Sequence, residues 1–263
     1  MASSRLKCWL AHPLARDLRL DDAASTTRHR DIIEQKPFLK RLYGEWYDRM
    51  IAAVPPGEQP LLEVGSGAGF LGTQLPHLVT SDLVPLPGVM LVLDARRMPF
   101  GTGTLRAILM TNVFHHISRP RAFLAEAARV VPPGGAVIML EPWLSWWSRL
   151  VYGNFHDEPF DPSAAQWEFP DGGRLSSANG ALPWIVFQRD RATFEREFPE
   201  WRLDAVDLSV GAPLRYLLSG GVSLIGLTPA GSFGAWRLVE RALAPFMSHF
   251  AMFAMIRLTR VHP

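Results

Sequence analysis

Between Arg30 and Ala53 the apolar residues Ile32, Ile33, Phe38, Leu39, Leu42, Tyr43, Trp46, Tyr47, Met50 and Ile51 recur mostly three or four positions apart. That spacing predicts an amphipathic helix or helix pair, interrupted at Pro37 and ended by Pro55-Pro56-Gly57. The rhythm then shortens. Leu61-Leu62-Glu63-Val64 is a short apolar run entering glycines, which predicts a buried strand, followed by a helix over Phe70 to Leu78. Further strands are predicted at Val79 to Leu83, Val89 to Leu93, Leu105 to Thr111 and Ala136 to Leu140. Pro120 to Val131 reads as a helix with Phe123, Leu124, Ala127, Val130 and Val131 on one face, stopped by Pro132-Pro133-Gly134-Gly135. Strands alternating with helices or turns require crossovers, hence parallel pairing. Right-handed crossovers then give an open, doubly wound sheet with its ligand crevice at the strands' carboxyl ends.

After Trp143 the texture changes. Residues 143–188 are rich in Trp, Pro, Gly and Asn, which predicts an irregular cap. Arg189 to Phe198 reads as a helix, Trp201 to Val210 and Met252 to Thr259 as strands, and residues 211–247 as an apolar, Gly-bearing insertion with a helix from Phe233 to Leu243. Residues 1–24 lack periodicity and read as a loosely ordered arm. The rest, 25–263, reads as one domain: N-terminal helices (25–57), a ligand-binding core (58–142), the cap (143–188) and C-terminal strands carrying the insertion (189–263).

Composition excludes more than it assigns. A formal charge of +2 with scattered arginines gives no basic stripe, so nucleic acid is not an expected partner. One cysteine, Cys8, precludes a disulfide framework or thiolate zinc site within the chain and fits a reducing, cytoplasmic setting. No run reaches about 18 apolar residues, so no spanning helix is expected. Lys7-Cys8-Trp9-Leu10-Ala11 makes a poor signal peptide, being broken at His12-Pro13.

The chemistry concentrates at Glu63-Val64-Gly65-Ser66-Gly67-Ala68-Gly69, directly after the first core strand. Glycines there let the backbone turn sharply and approach a ligand closely. A phosphate-cradling P-loop would need a Lys after its last glycine, but Gly72 is followed by Thr73-Gln74. A dinucleotide fingerprint would place glycine at position 70, which is Phe70. Glu63, just before the glycines, suits a ligand bearing an ammonium rather than a pyrophosphate. Asp82, 19 residues later at the next strand's end, stands where a ribose diol is usually held. Asp94, ending the third strand in Leu93-Asp94-Ala95-Arg96-Arg97-Met98-Pro99-Phe100, can accept from an exocyclic amine.

Over about residues 58–142 the sequence resembles the class I S-adenosylmethionine-dependent methyltransferases. It is most similar to the small-molecule branch carrying E/D-x-G-x-G-x-G, then D-a-x-x-L-P-F, then a helix ending P-G-G. The resemblance implies a Rossmann-like α/β fold, an open doubly wound and mostly parallel sheet of about seven strands, the last antiparallel, with a helical or irregular cap. It implies S-adenosyl-L-methionine as cofactor. Glu63, Gly65 and Gly67 would line the methionine moiety, Asp82 the ribose, Asp94 with Ala95 the adenine, and the backbone carbonyl of Asn112 the ammonium, with Ser66 and Leu83 completing the set. Met98 stands where Leu is commoner, and Leu105-Arg106 where an Asp is usual.

For the acceptor side, His115 is the candidate general base and Glu141, ending the fifth strand, a second catalytic candidate. His116, Trp143, Tyr152 and His156 are candidate substrate contacts, within a cap whose Trp146, Trp147, Phe155, Trp184 and Asn179 suit an apolar pocket bearing a few polar groups. His156-Asp157-Glu158 reads as a solvated loop, and no metal site is expected. The reading is a methyltransferase acting on a small, apolar or lipid- or glycan-linked acceptor, with peripheral membrane contact through the insertion as an option. An NAD-dependent oxidoreductase and a non-catalytic scaffold of the same fold are the alternatives. The oligomeric state is not readable.

Overall fold

The computed structural model describes residues 9–16, 23–156, 158–172 and 177–261. The rest of the expected N-terminal arm lies outside the described residues. Residues 9–16 differ from the expectation of a loose arm: they dock on the insertion, where His12 donates its backbone N–H to the Ser223 carbonyl and Ile225 donates to Leu10 at 2.8 Å.

Two helices, α1 (Ala23–Gln35) and α2 (Pro37–Ala52), meet at the expected break, because proline has no N–H to give and fits the first turn of α2. The three-and-four stripe of α2 buries Phe38, Leu39, Leu42, Tyr43, Trp46, Tyr47 and Met50. Trp46 satisfies its indole N–H on the Val210 carbonyl.

The core is one sheet. Its strands are β1 (Leu61–Val64), β2 (Leu78–Asp82), β3 (Leu91–Val92), β4 (Ala107–Thr111), β5 (Ala136–Pro142), β6 (Trp201–Asp207) and β7 (Phe253–Arg260), in spatial order β3-β2-β1-β4-β5-β7-β6. β1 to β5 pair in parallel, and β7 runs antiparallel to both β5 and β6. Every residue of β1 and β5 is buried, as strands covered on both faces require. Alternate side chains serve two cores: Val137 and Met139 enter one with Phe114, Phe123 and Phe187, while Ala136, Ile138 and Leu140 enter the other with α2. Helix α3 (Pro120–Val130) covers the first.

Departures from the sequence reading have local causes. The helix expected from Phe70 to Leu78 is one turn, Leu71–Gln74, because Pro76 and a left-handed His77 (φ 66°) follow. The cap holds a ten-residue helix, α4 (Trp146–Phe155), begun by a reciprocal hydrogen-bonded pair, Ser145 with Ser148. Helix α5 (Arg191–Glu197) precedes β6, which stops at Asp207 rather than Val210, since the Asp207 side chain takes the Ser209 N–H and turns the chain. The insertion's helix, α6 (Phe233–Ala242), buries Phe233 and Glu240 and leaves Leu238 and Val239 exposed, with Phe246 exposed beyond it. Among the described residues, no helix is long and apolar enough to cross a membrane.

Candidate active site

The chain runs from β1 outward to β3, then returns to place β4 on the other side of β1. That reversal leaves a crevice at the carboxyl ends of β1 and β4. A cavity of about 360 Å³ opens there, lined by Glu63, Gly65, Ser66, Gly67, Asp82, Leu83, Asp94, Ala95, Asn112, His115, His116, Tyr152 and His156 among others.

Close packing dictates the glycine turn. Gly65 holds φ 70°, and a Cβ there would lie 2.4 Å from Val113 Cγ2. A Cβ on Gly67 would lie 2.6 Å from Thr26 Cγ2 and 3.1 Å from Asp82 Oδ2. The turn is stapled to β2: Ser66 donates its N–H to the Ser81 carbonyl at 2.8 Å, Ser81 N–H donates to Ser66 Oγ, and Ser81 Oγ donates to the Glu63 carbonyl.

Four groups supply the polarity. Glu63 is 3% exposed. Burial pushes its pKa up, a Ser66 hydrogen bond opposes this and the Asp82 charge adds to it, for a value of about 7. Asp82 is buried and accepts the N–H groups of Gly67 and Val84. Asp94 is partly exposed and gripped through both oxygens by the Arg96 guanidinium, which also holds Ser118 and Asp171. Burial would raise the Asp94 pKa, but the Arg96 contacts outweigh it and hold it low. Asn112, left-handed at φ 57°, carries a buried Oδ1 with no hydrogen-bond partner among the described residues. Such an orphaned acceptor beside an acid at each of two strand ends fits a ligand bearing an ammonium and a diol.

Opposite the glycine turn, a 3₁₀ turn over Phe114–His116 presents the histidine pair. Glu141 lies beneath it, fully buried, accepting N–H bonds from Val113 at 2.9 Å and Phe114 at 2.8 Å and meeting His115 Nδ1 at 2.7 Å. The His115 Nε2 faces Glu158 at 3.3 Å. Burial lowers the His115 pKa, but the bonds and charges of Glu141 and Glu158 overcome it and lift it to about 9. His116 is pushed down to about 3 by burial and by the neighbouring His115, so it stays neutral.

Two expected site residues do not line the cavity. Trp143, expected to meet substrate, is 4% exposed and belongs to the core packed around Phe114 and Phe187. Glu141, expected to act on substrate, is covered by the turn it braces. Three groups were not picked out. Tyr47 sits where a Cβ on Gly69 would meet its hydroxyl at 2.8 Å, and its apolar helical spacing reads only as core. Arg96 reads as surface charge. Glu158, expected in a solvated loop, has an 18% exposed side chain within 4 Å of three histidines.

Residues 62–139 match the family model described as a methyltransferase domain. An uncharacterised methyltransferase of Mycobacterium leprae (strain Br4923) is 28% identical over 175 residues, 56% of this chain and 65% of the relative, so the chain spans just under two thirds of the length of these first relatives. One from Mycobacterium tuberculosis (strain ATCC 25177 / H37Ra) is 27% identical over 203 residues, 66% of this chain and 78% of the relative. Among solved structures, a possible histamine N-methyltransferase from Thermotoga maritima superposes with a TM-score of 0.51 at 14% identity, covering 89% of this chain and 99% of that one. The geranyl diphosphate C-methyltransferase from Streptomyces coelicolor A3(2), solved with Mg2+, geranyl diphosphate and S-adenosyl-L-homocysteine, gives 0.50 at 12% identity, covering 85% and 81%. Both share the fold.

Proposed function

We propose that the chain, whose residues 62–139 match a methyltransferase domain, is a class I S-adenosylmethionine-dependent methyltransferase that methylates a small acceptor bound beside the histidine pair of this cavity. One observation carries the reading. Glu63, Asp82 and the orphaned Asn112 Oδ1 converge on a hollow whose turn tolerates only glycine at Gly65 and Gly67.

When bound, S-adenosylmethionine supplies a methyl group already activated on a sulfonium. The chain's own residues then have three tasks. Glu63 and Asn112 hold the ammonium end, and Asp82 holds the ribose hydroxyls while its second interaction, with Gly67 N–H, keeps the turn open. Ala95 and Leu83 flank the base, next to the Asp94–Arg96 pair. On the other side, Tyr152, Tyr216, Val222 and Phe253 form an apolar wall, and His116, His156 and Glu158 a polar one. That division suits an acceptor with an apolar body and one polar end. With its pKa near 9, His115 keeps its proton at neutral pH and braces Glu158, while Glu141 positions His115 from below. Positioning of donor and acceptor supplies much of the acceleration.

Isothermal titration separates this reading from an oxidoreductase. S-adenosylhomocysteine is expected to bind and NADH not to. Mass spectrometry of the purified protein tests the scaffold alternative, which predicts no retained nucleoside. Small molecules are the expected partners. Peripheral lipid contact would use exposed Leu238, Val239 and Phe246, and absence of flotation with anionic liposomes would remove it.

A further inference from the structure

We propose that His115, His116 and Glu158 form a binding site for one divalent first-row transition-metal ion on the acceptor wall of the cavity. One candidate ligand atom from each lies within 4.8 Å of the others. His115 Nε2 is 3.3 Å and His116 Nε2 3.8 Å from the same Glu158 oxygen. Bonds of ~2.0–2.2 Å from imidazole nitrogen and carboxylate oxygen to such an ion place neighbouring ligand atoms roughly 3–3.5 Å apart. Small side-chain rotations close the difference.

The support beneath the trio has the form that metal sites use. Glu141 takes the Nδ1 side of His115 at 2.7 Å, which fixes the ring and aims Nε2 at Glu158. With one His115 proton facing Glu141, the other lies between Nε2 and the Glu158 carboxylate, and an ion binding there would displace that proton and take both atoms as ligands. His156 Nδ1, 3.9 Å from the Glu158 carboxylate, borders the trio and accepts the Glu158 backbone N–H at 3.2 Å. Two imidazoles and one carboxylate select a transition ion over Mg²⁺ or Ca²⁺, which prefer all-oxygen shells. Three protein ligands leave positions open to the cavity, so the acceptor would carry an oxygen donor, such as a hydroxyl or carboxylate, next to the atom methylated. This last step rests on the proposed methyl transfer, but the ion site does not.

Chelator-treated full-length protein titrated with Co²⁺ and followed by visible absorption tests the site. One ion per chain is expected, displaced by Zn²⁺, with affinity lost by about tenfold or more in Glu158→Gln and His116→Asn and by ~10–100-fold in Glu141→Gln. Circular dichroism checks that each variant folds, and S-adenosylhomocysteine affinity in Glu158→Gln should stay within about twofold of the parent. No stoichiometric Co²⁺ binding by the parent, leaving only a proton between His115 and Glu158, would overturn the site, as would unchanged Co²⁺ affinity in folded Glu158→Gln and His116→Asn. Failure of the parent to bind S-adenosylhomocysteine would instead strike the methyl-transfer reading and leave the Co²⁺ result to stand by itself.

Discussion

The Asp82 carboxylate accepts the backbone N–H of Gly67 across 3.2 Å, tying the end of β2 to the glycine turn that follows β1. The contact explains why an acid and a glycine stand 15 residues apart. A side chain on Gly67 would push against that carboxylate and against Thr26, closing the hollow between the two strand tips. Asp82 therefore serves the ligand and the shape of its pocket together.

Replacing Asp82 by alanine removes both services. S-adenosylhomocysteine affinity is expected to fall by ~1–3 kcal/mol, the scale of hydrogen bonds to a buried charged group. Asp82→Asn keeps an oxygen for Gly67 N–H and should lose less. Calorimetric titration of the two variants checks the order. Equal, parent-like affinities would remove Asp82 from the ribose.

Gly65→Ala meets two penalties that can be separated. Its φ of 70° disfavours any Cβ by ~1–2 kcal/mol, and the Val113 side chain occupies the space, with Cγ2 at 2.4 Å. Thermal unfolding should show clear destabilisation in Gly65→Ala. Adding Val113→Ala should restore the steric part and leave the backbone part, so partial rescue is the diagnostic result.

These two positions also mark what the sequence makes legible. Acids and glycines at strand ends stand out because strand periodicity fixes where the crevice lies, so Glu63, Asp82 and Asn112 can be placed with no knowledge of the helices. Tyr47 could not be: its spacing on α2 matches the core stripe, and only tertiary packing brings its hydroxyl to Gly69. Glu158 needed the cap to fold back 43 residues onto His115. Trp143 misled because it follows β5 directly, as a crevice residue would, yet its ring turns into the core. Glu141 sits at the expected strand end, but one of its oxygens is spent on the Val113 and Phe114 amides and the other on His115 Nδ1.

That use of Glu141 has a measurable consequence. In Glu141→Gln the single oxygen that already serves both backbone N–H groups can be kept, but an amide N–H then faces His115 Nδ1 where the second carboxylate oxygen stood. Stability is expected to fall by ~1–3 kcal/mol, with the Glu141→Ala variant falling further because it leaves two buried donors unpaired. Urea denaturation of the two variants tests the ranking. A purely catalytic Glu141 would leave both midpoints at the parent value.

Glu63 predicts a pH dependence of donor binding. Its pKa is raised from 4.5 to about 7, chiefly by burial, so the folded protein without ligand holds a proton that the unfolded chain releases. Ionising it in the folded state is unfavourable, and the stability tied to its protonated form is fully present below about 4.5 and lost as pH rises through about 7. The ligand's ammonium needs the anion, so binding must expel that proton when pH is below the pKa of the free protein. Affinity for S-adenosylhomocysteine should therefore rise by ~10-fold between pH 6 and 8 and level off above, with one proton released per ligand at the acid end. In Glu63→Gln the affinity should be lower and flat across that window. Calorimetry in buffers of different ionisation enthalpy reads the proton directly. A parent protein whose affinity is flat from pH 6 to 8 would place the ammonium away from Glu63.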